Sequence, residues 1–224
     1  MPSLAITEQN ASVVPGASLA IHRTLGTIIM TTQTHTSSEN GVDIGAILEA
    51  RTALGDNPEA GQFVWRAACE WIDGIHSRST IEGFFGLGEE LKHDRTFTID
   101  ADHPPQFAAA DLGATPVEID LSALASSLTG GVASIAANRG IHLNSAKAIV
   151  EGDMDLAGVM GIDPSIRNGF NDIRVSFEIA ADATEDEIAA LVAQSQKRSA
   201  VFDIITNPGS VKVEAKKVNQ TNGS

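Results

Sequence analysis

The sequence is short of cysteine. Its single cysteine, Cys69, excludes an internal disulfide framework and any cysteine-rich zinc site. By alternation Cys69 lies with Trp65 and Trp71 on the apolar face of a predicted strand. A reactive cysteine needs exposure and a positive neighbour, so a small core hydrophobe is the interpretation. The six histidines show no metal-ligand spacing, and we expect neither a metal nor a cofactor.

Positive charge and long apolar runs are also scarce. Lys and Arg number 15 against 29 Asp and Glu, and the net charge of −14 repels nucleic acids and anionic membranes. No run reaches the roughly 18 apolar residues of a membrane span. The first ten residues lack the basic and apolar regions of a signal peptide. A cytoplasmic protein with no nucleic-acid or membrane partner is therefore expected.

What the sequence does have is a long segment, 116–140, that is apolar along one stripe and small elsewhere. The stripe consists of Val117, Leu121, Leu124, Leu128, Val132 and Ile135. Its spacings of three and four predict a helix, and the Ala, Ser and Gly residues between them allow close approach on every side. Pro116 and Glu118 suit a first turn, and Gly140 suits a C-cap. We expect this helix to be the central core element.

Shorter periodic segments flank that helix. Strands are predicted at 62–72, 76–85, 95–100, 141–150 and 173–179, with a last short one at 211–213. Thr184 and Glu187 predict the capping box of a second helix, and an amphipathic helix is predicted near residues 42–54.

The composition divides the chain into three parts. Residues 1–42 are mostly polar and lack the apolar pattern of a core element, which predicts a disordered N-terminal extension. Residues 43–214 form the predicted domain. Residues 215–224 are a polar tail.

Several strings, taken in this order, resemble the osmotically inducible protein C (OsmC) family. They are Asp102-His103-Pro104 after a three-strand meander, Pro116-Val117-Glu118, Ala123-Leu124-Ala125-Ser126-Ser127-Leu128, Arg139-Gly140-Ile141, Glu151-Gly152-Asp153, Arg167-Asn168-Gly169-Phe170 and Ser199-Ala200-Val201-Phe202-Asp203. Together they cover about residues 43–214. The resemblance implies an α+β fold with two central helices packed against antiparallel sheets, built as an intertwined homodimer with two interfacial sites.

The resemblance also implies thiol-dependent reduction of organic hydroperoxides, and here the sequence departs from the family. The peroxidatic cysteine of the family falls at Ser127 and the resolving cysteine at Ser199. A serine hydroxyl is neither acidic nor soft enough to begin thiol oxidation. As written, the chain is not expected to be a peroxidase.

Two charged residues complete the catalytic set that the resemblance implies. Arg78 matches the arginine that holds the thiolate and the peroxide oxygen, with Arg66 as a competitor, and Glu118 matches the carboxylate that orients the arginine. A surface strand charge and a first-turn dipole partner are the alternative interpretations of Arg78 and Glu118. On an unbroken helix Glu118 and Ser127 lie about 13 Å apart along the axis, on opposite faces.

Three function classes remain open. The first is a non-peroxidatic family member that binds a small apolar ligand in the dimer cleft, with Ser127 as a polar contact and His103 and Leu128 as ligand-binding residues. The second is a hydroperoxide reductase whose native cysteine has been replaced by Ser127, which the genomic codon decides. The third is a hydrolase or transferase with Ser127 as nucleophile and His76 or His103 as base. No Gly-x-Ser-x-Gly elbow surrounds Ser127, which argues against the third class.

Overall fold

The structure is a computed structural model that describes residues 17–24, 27–34 and 40–218. The strands are β1 (Ala17–Thr24), β2 (Thr27–Thr34), β3 (Val64–Trp65), β4 (Ala68–Asp73), β5 (His76–Gly86), β6 (Glu89–Ala101), β7 (Leu143–Asp153) and β8 (Asp172–Ala181). The helices are α1 (Ile44–Asp56), α2 (Pro116–Asn138), α3 (Leu156–Val159), α4 (Glu185–Arg198) and α5 (Ala200–Thr206). The strand pairs between these elements are antiparallel. The fold is therefore the mixture of helices and antiparallel sheets that the sequence predicts.

The central element is α2, as predicted. Thr115 caps its first turn together with Glu118, and Gly140, at φ +67°, follows its C-terminal end. Leu124, Leu128 and Val132 are buried along one stripe, and burial of such a side chain contributes about 1.5–3 kcal/mol. The helix packs on β7, α4 and α5.

By length and composition alone, α2 could cross a membrane. The core helix of a folded domain meets the same criteria. Here the stripe of buried residues packs on β7 and on the other helices, so α2 serves as the core helix of this domain.

The four-stranded sheet of β3 to β6 is arranged around β5. Strands β3 and β4 pair with one edge of β5 and β6 pairs with the other. The single strand predicted at 62–72 is divided into β3 and β4. The register of β3 with β5 differs by one residue from the register of β4 with β5. The prediction that this strand is half-buried is wrong for the single chain, since β4 is exposed throughout.

One face of this sheet is apolar and open. Cys69 and Ile99 both pair with Ser79, and Phe97 pairs with Ile81, so the five side chains share a face. A series of ring contacts extends the same face; it joins Phe63, Trp65, Phe84, His93 and Phe97 at centroid distances of 4.5–6.1 Å. Trp71 lies two residues beyond Cys69 on β4 and therefore points to the same face. We call this whole surface the aromatic sheet face. Trp65 is 67% and Trp71 is 73% exposed.

The second half of the fold is the pair of strands β7 and β8 with the helices on it. The prediction of β8 is confirmed, with Ile173, Val175 and Phe177 half-buried between exposed neighbours. Helix α4 begins at the predicted capping box of Thr184 and Glu187. Residues 211–213 are not a strand, however; Val211 and Val213 are almost fully exposed, and the prediction of a strand there is wrong for the single chain.

Part of the N-terminal extension has regular structure. Strands β1 and β2 pair along their full lengths, where disorder is expected from composition. The Asn40 side chain donates to the Ile141 carbonyl at 2.8 Å and accepts from the Leu143 amide at 2.9 Å, which fixes the end of the extension to β7. Residues 1–16, 25–26 and 35–39, and the tail from 219, lie outside the described residues.

Candidate functional site

Ser127 and Ser199 lie side by side although 72 positions separate them. Their hydroxyl oxygens are 2.8 Å apart, within hydrogen-bonding distance. Ser127 is on α2, and Ser199 connects α4 to α5, where its oxygen accepts from the Phe202 amide at 3.1 Å. Ser199 is 7% exposed, and Ser127 is half-buried. The two positions that the resemblance assigns to the family cysteines are therefore in contact.

Close packing of α2 on α4 brings the serines together. Leu191, Ser195 and Ser199 are buried at intervals of four, which places them on the face of α4 toward α2. Ser195 Oγ donates to the Leu128 carbonyl at 2.7 Å. A Cβ atom added at Gly131 would lie 2.2 Å from that hydroxyl oxygen, so only glycine fits there.

Glu118 acts as a helix cap at the other end of α2. The Thr115 hydroxyl and amide donate to its Oε2 at 2.7 and 2.8 Å, and these bonds lower the pKa of the Glu118 carboxyl. The helix is unbroken from 116 to 138. Nine residues at 1.5 Å each keep Glu118 about 13 Å from Ser127 along the axis, so the two residues do not meet within one chain.

Neither candidate arginine bonds to Ser127. Arg78 Nε donates to Asp100 Oδ1 at 2.9 Å, and His76 Nε2 lies 2.8 Å from the same oxygen. The bonds from His76 and Arg78 lower the pKa of Asp100. Arg66 forms a bidentate ion pair with Glu90 at 2.7 and 2.9 Å. No sequence pattern indicates Asp100 as a partner of His76, because their contact depends on the cross-strand register.

The two predicted ligand-binding residues lie in different surroundings. Leu128 is buried, and its carbonyl accepts from Ser195, so it belongs to the contact between α2 and α4. His103 makes an edge contact with the Phe107 ring at 6.1 Å. Its Nδ1 is buried and has no hydrogen-bond partner among the described residues.

An open groove of about 520 Å³ lies between α2, α5 and the start of β8. Its apolar walls are Leu121, Leu124, Phe170, Ile173, Val175, Phe202 and Ile205. The order along α2 is Leu121, Leu124, Ser127, and the order along the facing segment is Ile205, Phe202, Ser199. Neither serine is among the residues that line the groove, but each lies three positions along the chain from one that does, Ser127 from Leu124 and Ser199 from Phe202. An apolar groove of this kind is suited to an apolar ligand.

The single thiol is not the core hydrophobe that the sequence predicts. Cys69 is exposed in the single chain, on the aromatic sheet face. Hydrogen bonds with the Ser79 and Ser77 hydroxyls lower the pKa of its thiol. Among the described residues no hydrogen bond joins Cys69 to Ser127 or Ser199, so the single chain does not bring this thiol to the family cysteine positions.

Asp102, which the sequence analysis names only as part of a family string, is a buried carboxylate. It is 2% exposed and accepts from the Leu112 amide at 3.0 Å. Hydrogen bonds from Leu112, and then from the His103 and Ala110 amides, lower the pKa of Asp102. The carboxylate thereby closes the loop that connects β6 to α2.

Replacement of this carboxylate should change the response of the protein to acid. A depressed pKa in the folded chain stabilises the fold above the unfolded pKa of about 3.9, and that contribution is lost as the pH falls through the folded pKa. Asp102→Asn should lower the melting temperature at neutral pH. Below about pH 4, the melting temperature of this variant should fall less steeply than that of the parent. Thermal unfolding followed by circular dichroism measures both. Asp56→Asn, at an exposed position on α1, is the control, and an Asp102→Asn curve parallel to that of the parent would contradict the assignment.

Comparison with known proteins supports the family resemblance over part of the chain. Residues 109–214 match the family model described as OsmC-like protein, whereas no curated protein matches the chain. Solved structures that are similar include an OsmC-like protein from Mycoplasma pneumoniae, with 18% identity over 64% of this chain and 88% of that one and a TM-score of 0.49. An organic hydroperoxide resistance protein from Legionella pneumophila has 14% identity over 64% and 90% of the two chains, with a TM-score of 0.45. An organic hydroperoxide resistance protein of Bacillus subtilis has 16% identity over 68% of this chain and 98% of that one, with a TM-score of 0.41. The match over residues 109–214 thus confirms the resemblance to the OsmC family that the sequence indicates.

Proposed function

We propose that this chain is a non-peroxidatic OsmC-like protein that binds a small apolar ligand in a cleft between two copies of itself, with Ser127 as a polar contact. The observation that supports the proposal is the apolar groove between α2 and α5, the two elements that also carry the Ser127–Ser199 contact. A pair of serine hydroxyls can hold a polar group of a ligand but cannot pass through the oxidation steps of a thiol. We place this function in the cytoplasm.

The second copy enters the proposal because the single chain leaves two apolar surfaces uncovered. One is the aromatic sheet face, and the other is the groove along α2 and α5. Contiguous apolar patches of this kind are rare on monomers and are typical of interfaces. In a two-fold dimer the sheet of each chain can cover the helices of the other, so one contact made twice closes both surfaces. An intertwined homodimer satisfies this requirement.

The reductase alternative is favoured by one specific observation. Two cysteines at positions 127 and 199 would also be neighbours, because their serine oxygens are already 2.8 Å apart. A peroxidatic and a resolving thiol need this proximity to form a disulfide. If the genomic codon at position 127 specifies cysteine, the natural protein is a hydroperoxide reductase.

The hydrolase alternative lacks a base in the single chain. His76 pairs with Asp100, and His103 contacts Phe107. Among the described residues, the hydroxyl of Ser127 bonds to Ser199 and to no histidine. A serine nucleophile needs a base within hydrogen-bond reach, so we do not propose this function.

Two neighbouring isoleucines provide the test of ligand binding. Ile205 lines the groove, whereas Ile204 does not, and both are exposed, at 38% and 65%. Ile205→Glu should weaken binding of the neutral fluorescent probe phenylnaphthylamine by about tenfold or more, because the carboxylate loses hydration in an apolar site. Ile204→Glu should bind like the parent. Equal affinities of all three proteins in a fluorescence titration, or no binding by the parent, would refute a ligand site in this groove.

A further inference from the structure

Three asparagines in this chain are followed directly by glycine, at 40–41, 168–169 and 222–223. In such a pair the backbone nitrogen of the glycine can attack the side-chain amide carbon of the asparagine, because glycine has no Cβ atom to obstruct the approach. The reaction needs an asparagine side chain that is free to turn and a glycine N–H that base can reach. The fold therefore decides which pair reacts. The third pair lies outside the described residues.

The fold holds the first pair in an unreactive arrangement. Both polar atoms of the Asn40 amide are bonded: Nδ2 donates to the Ile141 carbonyl at 2.8 Å, and Oδ1 accepts from the Leu143 amide at 2.9 Å. The side chain can turn toward the Gly41 nitrogen only after both bonds break. Attack at Asn40 therefore requires a local opening of the chain.

The second pair has no such restraint. Asn168 is exposed on the connection between α3 and β8. Within the part of the chain that the structure describes, its side-chain amide makes no hydrogen bond, and no acceptor binds the Gly169 N–H. The side chain is therefore free to turn toward the Gly169 nitrogen without any opening of the fold.

A guanidinium group lies beside this pair. A Cβ atom added at Gly169 would be 3.3 Å from Nη2 of Arg167 and 3.8 Å from its Nε. Arg167 is exposed and forms no ion pair with any described residue. A positive charge at this distance stabilises the negative charge that develops on the Gly169 nitrogen as it loses its proton. Arg167 should therefore promote the attack.

We propose that Asn168 is a site of spontaneous deamidation. Hydroxide takes the proton of the Gly169 nitrogen, and this nitrogen forms a bond to Cγ of Asn168. The bond between Cγ and Nδ2 breaks, and Nδ2 leaves as ammonia after it takes a proton from water. One water molecule then opens the cyclic imide to aspartate or isoaspartate. Asparagine and water thus give a carboxylic acid and ammonia, and no atom is oxidised or reduced.

The modification changes the charge at one end of the groove between α2 and α5. Gly169 and Arg167 line that end together with Asp120 and Asp172. Conversion of Asn168 adds a third carboxylate there, next to the guanidinium of Arg167. The inference goes beyond the proposed function and does not depend on it, because the reaction needs no ligand and no second copy of the chain.

Peptide mapping by mass spectrometry tests the proposal, because each deamidation raises the mass of its peptide by about 1 Da. The full chain is incubated at mildly alkaline pH, once folded and once unfolded in guanidinium chloride. Folding should slow the reaction at Asn40 by at least about tenfold and the reaction at Asn168 by no more than about twofold. If folding slows both sites equally, the proposal is wrong.

Two variants assign the reaction to the named groups. Trypsin releases peptide 168–174, which also contains Asn171. Asn168→Gln should leave this peptide without a mass increase, because a glutamine side chain closes a larger and less favourable ring. A mass increase equal to that of the parent would assign the reaction to Asn171 and overturn the proposal.

The role of the guanidinium has its own matched pair of variants. Arg167→Gln should slow the reaction at Asn168 in the folded chain by about 3- to 10-fold, since the nitrogen anion loses its neighbouring charge. Arg51→Gln, at an exposed position on α1, should leave the rate unchanged. Equal rates in the parent and in Arg167→Gln would overturn the role of Arg167.

Discussion

The double variant Ser127→Cys/Ser199→Cys should reduce organic hydroperoxides and form a disulfide in the process, whereas the parent should be inert. The two oxygens are 2.8 Å apart, and a disulfide of about 2.05 Å needs only a small adjustment of the side chains. The thiolate at 127 takes one peroxide oxygen as a sulfenic acid and releases the alcohol. The thiol at 199 then displaces water and closes the disulfide.

The oxidised double variant should also be more stable than the reduced one. The disulfide would link residues 72 positions apart, and closing a loop of that length in the unfolded chain corresponds to about 4 kcal/mol. At the size of this chain that is a rise in melting temperature of roughly 8–16 °C. Calorimetry with and without a reductant measures it.

Single variants show which thiol reacts first. Ser127→Cys alone should stop at the sulfenic acid, which mass spectrometry detects. Ser199→Cys alone should react more slowly than Ser127→Cys, with Cys69 as the internal reference that every variant shares. If Ser127→Cys/Arg78→Ala no longer oxidises at position 127 in preference to Cys69, Arg78 is the arginine that activates the thiol at 127. Equal oxidation of Cys69 and of the thiol at 127 would show that the peroxide pocket is not retained. Peroxide turnover by the parent would overturn the non-peroxidatic proposal.

Periodicity predicted the elements that this chain completes by itself. The stripe of α2, the alternation of β8 and the capping box of Thr184 and Glu187 each contain their own start, stop and buried face. Such local signals depend on few distant residues. The sequence could therefore locate both major helices and the strand that begins at the groove.

Contacts between distant residues account for what the sequence could not predict. The alternation around Cys69 indicates an apolar face but does not say what covers that face, and in the single chain nothing described there does. The bond of Asp100 to Arg78 depends on the register of β5 with β6. Ser127 and Ser199 were singled out by the family resemblance, and only the packing of α2 against α4 shows that they touch.

The remaining prediction concerns the aromatic sheet face: the parent should be a dimer, and Ile99→Glu should be a monomer. Ile99 and Thr98 are adjacent on β6 and point to opposite faces of the sheet. Ile99 is 38% exposed in the single chain, so a Glu side chain there can extend its carboxylate into solvent. In a dimer that covers this face, the same charge would be buried without a partner, which costs several kcal/mol. Light scattering should give twice the chain mass of 23.4 kDa for the parent and 23.4 kDa for Ile99→Glu.

Thr98→Glu is the matched control, because it adds the same charge one residue away on the opposite face, and it should remain a dimer. Cys69 provides an independent readout, since it shares the aromatic sheet face with Ile99 through their common partner Ser79. Its thiol should react slowly with a labelling reagent in the parent and in Thr98→Glu, and faster in Ile99→Glu, while circular dichroism shows an unchanged fold. A parent that is monomeric at micromolar concentration with a native spectrum would refute the dimer. The proposed ligand cleft would then be an open groove on one chain, because no second sheet would close it.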